Sequence, residues 1–514
     1  MATDVSQENS AHFRALFRNS RAGDQAPDAL PRSRSLYRAV WRWHFYAGLF
    51  AVPVIVLLCL SGIVYLFRPQ LDGMLYGPLR DVRPGRSVVD FQQQLDAVKA
   101  HFPGGSVDAV MPAPTPDRST QFEVADASGT PWSAYVNPYT GQYLGARNHY
   151  RDPSFIALKL HGSLWTGAWL GWLPGGVDPA LWGDWYIELV ACWTLVLVVS
   201  GVYLWWPRGR RRRGGVLLPR WSSGNRRVRW RDVHAITGVM FSFVTVFFLI
   251  TGLFWTGFWS PNVLQRVEDV SNQNYPQSIL DGASSTKVGD LTTGSTTAWA
   301  SSTLPVPLSG EPGNPVQHAG HQGEGRISWD PSKAAPIDAV IATAQTLLPP
   351  GFALFLPGDD TGTYTAAIGE DLDPQPVQPV GGGRTVFIDQ YSAKAVVNAP
   401  ESSFRALPRA IDWGISVHTG REWGWVSQLV ALSGTLMILL SVATSLVMWR
   451  ARRPKGLGAP RKEPDRRRML GVVVITAVLA VVFPLLGGSI LLVLALEFLV
   501  VRRVPRLARA FGTA

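Results

Sequence analysis

Cysteine is nearly absent: 514 residues hold two, Cys59 and Cys192, and both fall inside apolar runs. They read as packing residues, not a disulfide. No C-x-x-C-H stretch occurs, which excludes covalently attached c-type haem. No cysteine cluster exists for an iron–sulfur centre or a structural zinc. Serine–histidine–aspartate, metalloprotease and phosphate-binding motifs are also missing. The apolar runs hold few charges and no dense polar lining, which argues against a transport path for iron or a chelate. Residues 1–36 lack an apolar core followed by a small-residue cleavage site, so they read as a polar cytosolic tail, not a signal peptide.

What the chain does have is apolar length and basic charge. It is 46% apolar with a net charge of +11. Its apolar residues gather in runs long enough for a bilayer core of about 30 Å. Spans are expected at 37–68, 185–206, 233–258 and 425–449, followed by a longer run at 469–501. The segment 207–232 is rich in arginine, including Arg210-Arg211-Arg212-Arg213, and 450–468 is also strongly basic. In 69–184 and 259–424 acidic residues outnumber basic ones. The positive-inside rule therefore places both short basic loops and the N-terminus in the cytosol and the two long segments outside. Because the arginines flank spans, they report topology and not nucleic-acid binding. Residues 469–501 would make one helix of roughly 50 Å, too long for a single span. Pro484 and Gly487-Gly488 break the run, so a hairpin of two short helices is expected, with 502–514 a cytosolic tail. One tilted helix with an external C-terminus is the alternative.

An internal repeat places four histidines. From His44, glycines follow at Gly48 and Gly62 and an aromatic at Tyr65; from His234 the same offsets give Gly238, Gly252 and Trp255. The first glycine lies on the histidine's helical face, leaving room for a flat ring. Both histidines sit at cytosolic mouths of spans. His161 and His418 close the two outer segments, in Leu160-His161-Gly162-Ser163 and Val417-His418-Thr419-Gly420. Neutral imidazole is a strong axial ligand for haem iron, and pure electron transfer needs two per iron. Pairing across the repeat gives His44 with His234 and His161 with His418. Pairing from one side to the other is excluded by the roughly 30 Å between faces.

The outer segments repeat as well. Residues 88–101 and 336–348 carry helical apolar faces. Strands are expected at Thr120–Val124 and Trp132–Asn137, and again at Thr363–Ile368 and Thr385–Asp389. Each segment is thus a small α+β unit. Residues 271–325, rich in Ser, Thr, Gly and Pro, read as a mobile loop.

Together Trp43-His44-Phe45-Tyr46-Ala47-Gly48, Leu160-His161-Gly162-Ser163-Leu164, Ser200-Gly201-Val202-Tyr203-Leu204-Trp205-Trp206-Pro207-Arg208, Arg231-Asp232-Val233-His234 and Val417-His418-Thr419-Gly420 resemble the PepSY-associated transmembrane family. That family includes bacterial inner-membrane ferric-siderophore reductases. The resemblance covers roughly 36–500. It implies an α-helical membrane bundle with six transmembrane helices, an internal duplication and two periplasmic α+β PepSY-like domains. It also implies b-type haem on the membrane histidines, two per chain, and reduction of a periplasmic ferric siderophore. Some relatives carry a fused flavin reductase domain; this chain has none, so a separate quinol or cytosolic reductase is expected as donor. A different class of function is also open: a haem-free membrane protein whose PepSY domains bind or regulate a periplasmic partner.

Further residues are candidates beside the ligands. Arg421, near His418, and Arg231, near His234, are candidates for haem propionates. Glu188, just inside the second span, is a candidate proton relay or histidine partner. Trp165, Trp169, Trp172, Trp182, Trp185, Trp413, Trp423 and Trp425 read as an aromatic belt at the outer interface. His12, His101, His149, His318 and His321 fall outside the repeat.

Overall fold

The computed structural model describes residues 32–167, 179–207, 215–273, 283–291, 299–309, 334–368, 383–452, 470–505 and 507. The readings placed on 1–31 with His12, on Trp169 and Trp172, on Arg210–Arg213, on His318 and His321, and on most of 450–468 lie outside the described residues.

The N-terminal half runs α1 (Arg32–Leu66), α2 (Arg68–Arg80), α3 (Phe91–His101), β1 (Ser106–Met111), β2 (Thr120–Ala125), β3 (Pro131–Val136), β4 (Tyr143–Asn148), α4 (Pro153–Ser163) and α5 (Pro179–Trp205). The second half opens with α6 (Arg226–Met240), α7 (Ser242–Leu253), α8 (Gln265–Val270), β5 (Ala283–Lys287) and β6 (Pro305–Pro307). It continues with α9 (Ile337–Leu347), β7 (Ala353–Phe355), β8 (Tyr364–Ala367), β9 (Arg384–Ile388), β10 (Ala395–Pro400), α10 (Ala406–His418) and α11 (Trp425–Arg452). Last come α12 (Leu470–Val482) and α13 (Pro484–Leu496).

Among the described residues four helices are long and apolar enough to cross a membrane: Leu36–Leu66, Ala180–Trp205, Trp425–Ala451 and Pro484–Val501. The expected straight span at 233–258 is instead a pair, α6 and α7, bent by 53°. At the bend the Ser242 hydroxyl donates to the Val239 carbonyl, which also accepts from the Phe241 N–H. Counted as one span, the pair makes a fifth. The run at 469–501 does break at Phe483-Pro484; α12 is about 20 Å long, short of a bilayer core. Helices α1, α5, α6–α7 and α11 close a ring, each packing on the next. In this ring α1 and α6–α7 face each other across the middle. Helix α13 packs outside it on α5, where Leu486 and Ile490 meet Cys192 and Trp193. Both cysteines are free and buried, as packing residues would be.

The two outer units are not separate domains. Their strands form one eight-stranded sheet in the order β10-β9-β8-β7-β1-β2-β3-β4. Two four-stranded meanders join edge to edge through antiparallel β1 and β7, with Ala109 opposite Phe355 and Val110 opposite Leu354. One face is covered by α3 and α9. Leu95 and Val98 of α3 and Val340, Ile341 and Ala344 of α9 share a core with Val110, Phe122, Leu354 and Val386. The halves also cap each other: Asp338 of α9 accepts from the backbone N–H groups of Phe91 (2.7 Å) and Gln92 (3.2 Å) at the start of α3. A free edge on each half would invite mispairing, and fusing them removes both. The duplicated turns match in detail. Asn137 accepts from Tyr139 N–H and Asp389 from Tyr391 N–H, and Gly141 (φ 70°) and Ala393 (φ 54°) occupy the same left-handed position.

The second face meets the bundle. On the β7–β10 half it is apolar, with Phe387, Val397 and Ala399 seated on Ile411 and Ile415 of α10. On the β1–β4 half it is polar, centred on Arg147, Asp72, Glu123 and His149. The stretch expected to be a mobile loop is partly ordered: β5 pairs with β6, and Val288, Leu304 and Val306 are buried in the same core as Ile411.

Glu268 on α8 adds a pH dependence. It is buried, and burial first, then Asp269 and Asp412, push its carboxyl up to about 7. A folded value raised above the ordinary 4.5 favours the folded state at low pH and loses that contribution as pH rises through 7. Glu268→Gln is expected to flatten the fall in melting temperature between pH 5 and 8. An unchanged slope would assign the dependence to other groups.

Candidate functional site

The ring places the four histidines in two pairs. His44 on α1 and His234 on α6 meet across it with ring centroids 6.3 Å apart and planes at 74°. His161 and His418, near the C-terminal ends of α4 and α10, meet with centroids again 6.3 Å apart and planes at 90°. These are the cross-repeat pairings expected from the sequence. Helix α1 serves both ends: His44 lies near its start, and Ser61, seventeen residues on, contacts His161. At 1.5 Å per residue the two pairs are about 25 Å apart along α1.

Each ring is held from a neighbouring helix through Nδ1. His44 Nδ1 lies 2.9 Å from Ser200 Oγ of α5. His234 Nδ1 is 3.0 Å from the Ser441 carbonyl and 3.3 Å from Thr444 Oγ1, both on α11. His161 Nδ1 is 3.0 Å from the Leu58 carbonyl and 3.2 Å from Ser61 Oγ, both on α1. His418 Nδ1 is 2.7 Å from Thr251 Oγ1 of α7. All four rings are half-buried. Nothing in the sequence marks these hydroxyls as imidazole partners, although Ser61 and Thr251 directly precede the repeat glycines Gly62 and Gly252.

The repeat glycines divide by role. A Cβ on Gly62 would lie 3.1 Å from His161 Cε1, and one on Gly252 would lie 3.8 Å from His418 Cε1. Gly62 makes room for the His161 imidazole, while at Gly252 a methyl group would still meet His418 at ordinary contact distance. The glycines at the first offset face neighbouring helices instead: a Cβ on Gly48 would meet Leu197 at 3.7 Å and one on Gly238 would meet Ser441 at 3.8 Å. Gly201 of α5 is the close neighbour of His44, at 3.3 Å from Cε1.

The remaining candidates are placed as follows. Arg421 Nη2 donates to the Tyr65 hydroxyl at 3.3 Å, tying the segment after His418 to the end of α1. Arg231 pairs with Asp232 at 2.8 Å, and Arg220 holds the same carboxylate at 2.7 Å. Glu188 accepts from the Trp259 N–H at 3.0 Å, and Asp184, one turn earlier, accepts from Gly257 N–H at 2.5 Å. These two carboxylates fasten the turn after α7, and among the described residues no hydrogen bond joins Glu188 to a histidine. His101 stacks on Tyr143, and His149 bonds Ser133 and Glu123 in the sheet.

A ring of apolar helices with an imidazole pair at each end, capped by a duplicated sheet, defines a multi-pass membrane protein with two paired-histidine sites. The chain belongs to the PepSY-associated TM region family, whose family model matches residues 41–452. All four histidines fall within the match; α12 and α13 fall beyond it. No curated protein matches the chain.

Proposed function

We propose that this chain is a di-haem b oxidoreductase of the bacterial inner membrane that passes electrons outward to a periplasmic ferric siderophore. The observation that carries the reading is the 6.3 Å centroid separation, found twice. Two metal–imidazole bonds of about 2 Å, plus roughly 1.2 Å from each nitrogen to its ring centre, span about 6.4 Å, within about 0.1 Å of that separation. The donor set points to haem over a bare ion. Each pair offers two nitrogens, and no group of three or more metal-ligating side chains occurs among the described residues. A structural zinc takes four protein ligands, whereas a porphyrin brings four nitrogens and takes two from the protein.

When bound, haem b supplies a one-electron Fe(III)/Fe(II) couple at each end of the bundle. His44 and His234 would hold the inner group, and His161 and His418 the outer one. Held by two imidazoles each, the groups would carry electrons without oxygen or peroxide chemistry. Arg421 would serve a propionate at the outer end. The basic loops set the orientation, with the His44/His234 end cytosolic and the sheet periplasmic. In that arrangement α12 and α13 form a hairpin of two short helices, giving six spans. A quinol or a cytosolic reductase donates the electron. The ferric chelate accepts it and becomes ferrous; hard oxygen ligands hold Fe(II) less tightly, so the metal leaves and the chelator survives.

The test is a visible spectrum of the purified, haem-supplied protein, oxidised and then dithionite-reduced, with haem quantified per chain. Sharp low-spin b-type bands at two haems per chain are expected. A well-folded chain without haem would sink the proposal and favour a partner-binding role for the sheet.

A further inference from the structure

The hydrogen bonds around the four histidines have one proton assignment that satisfies them all. Ser200 Oγ donates to the Val196 carbonyl at 2.6 Å, and Thr251 Oγ1 donates to the Phe247 carbonyl at 2.7 Å. A hydroxyl has one proton. With that proton committed to its own helix, each oxygen can only accept from the imidazole. His44 and His418 must therefore carry the proton on Nδ1. The other two rings give the same answer more directly. His161 faces the Leu58 carbonyl and His234 the Ser441 carbonyl, and a carbonyl only accepts. Ser61 and Thr444 beside them are committed in the same way, Ser61 to Leu57 at 2.8 Å and Thr444 to Leu440 at 2.9 Å, and the Ser441 hydroxyl, also 3.3 Å from His234 Nδ1, can accept from the same N–H.

The four hydroxyls also share a sequence context. They stand in Ser61-Gly62, Ser200-Gly201, Thr251-Gly252 and Thr444-Ser445, each followed by a small residue. In the first two pairs a Cβ on the glycine would crowd the imidazole edge, at 3.1 and 3.3 Å, while Gly252 leaves ordinary contact distance to His418, at 3.8 Å. The dipeptides are cross-wired: the helices that carry the inner histidines, α1 and α6–α7, carry the hydroxyls for the outer pair.

We propose that Ser61, Ser200, Thr251 and Thr444 are positioning residues that fix each histidine as the Nδ1–H tautomer, leaving Nε2 as the iron ligand. The inference rests on the haem reading and adds to it which atom binds and what tunes it. An Nδ1–H bonded to an oxygen makes the imidazole a stronger donor, which favours ferric iron and lowers the potential. Thr251 is the cleanest case, because among the described residues the hydrogen bond of His418 Nδ1 is to the Thr251 hydroxyl, whereas His161 and His234 also face a backbone carbonyl.

The experiment compares full-length wild type with Thr251→Val and Thr251→Ser. It reads midpoint potentials by optical titration, low-spin resonance spectra, and the rate of haem loss to a haem-scavenging globin. Thr251→Val keeps the shape and loses the acceptor. One of its two potentials is expected to rise, and that haem to leave roughly 10–100-fold faster. Thr251→Ser is expected to restore both. A haem-replete Thr251→Val with wild-type potentials and retention overturns the inference and leaves the haem reading intact. Equal losses in Thr251→Val and Thr251→Ser also overturn it, because packing and not the hydroxyl would then be responsible. A wild type that binds no haem overturns the haem reading and this inference with it.

Discussion

If the chain holds haem as proposed, replacing His161 and His418 together by alanine is expected to lower bound haem from two per chain to one and to abolish ferric-chelate reduction. The remaining haem should keep low-spin bands. The reason lies in which elements hold each pair. The outer histidines come from α4 and α10, and the inner ones from α1 and α6. The pairs are about 25 Å apart along α1, far beyond contact. Removing the outer imidazoles leaves His44, His234 and their partners Ser200 and Thr444 unaltered. The single variant His418→Ala has a different signature. It frees one axial position, so the outer haem, if retained, should turn high-spin and react with oxygen. Pyridine-haemochrome quantification and reduced spectra separate these outcomes. Loss of both haems from the double variant would mean that the two sites are not independent. Two haems retained in the double variant would remove His161 and His418 from the ligand set.

Much of this arrangement was legible because membrane helices and repeats leave strong marks. Offsets shared by the stretches after His44 and His234 predicted their meeting, and a 20-residue apolar run has few alternatives to a span. The sheet strands with alternating or β-branched residues, such as Phe122 and Val124 in β2, were also readable. The fusion of the two halves was not. Strands β1 and β7 join through backbone hydrogen bonds, and β7 is three residues long, too short for any periodicity to register. The bend between α6 and α7 turns on one serine hydroxyl in an apolar run, a feature common in straight helices. The positioning hydroxyls were hidden for a related reason. A serine or threonine inside a helix ordinarily bonds its own backbone, and these do, so only the structure reveals the imidazole on the oxygen's other side.

The polar half of the sheet face explains how His161 is held in place, and Arg147 is its centre. The Arg147 side chain is 4% exposed and lies 2.9 Å from Asp72 and 3.2 Å from Asp152. Asp72 joins α2 to the sheet, with Arg68 at 3.4 Å and the Ser154 hydroxyl at 3.3 Å. Asp152 caps α4 by accepting from Ser154 N–H at 2.8 Å, and α4 ends beside His161. Arg147→Ala would leave two buried carboxylates without their shared cation, a loss expected to cost about 3–5 kcal/mol. Arg147→Lys keeps the charge but lacks the fork that serves both acids, so it should fall between wild type and alanine. The pH dependence distinguishes lost charge from lost packing. Burial alone would raise the Asp72 carboxyl, but Arg147 and Arg68 outweigh it and hold it below the ordinary range. Its stabilising contribution is therefore present above the ordinary carboxylate value and lost as pH falls through the lower folded one. Without Arg147 the Asp72 carboxylate can relieve its burial by taking a proton. The alanine variant should thus be weakest relative to wild type at pH 7 and approach it near pH 4. Thermal unfolding across that range, with hydrogen exchange on β4 and α4, measures the gap. A variant within about 1 kcal/mol of wild type at pH 7 would show that the buried carboxylates do not depend on Arg147.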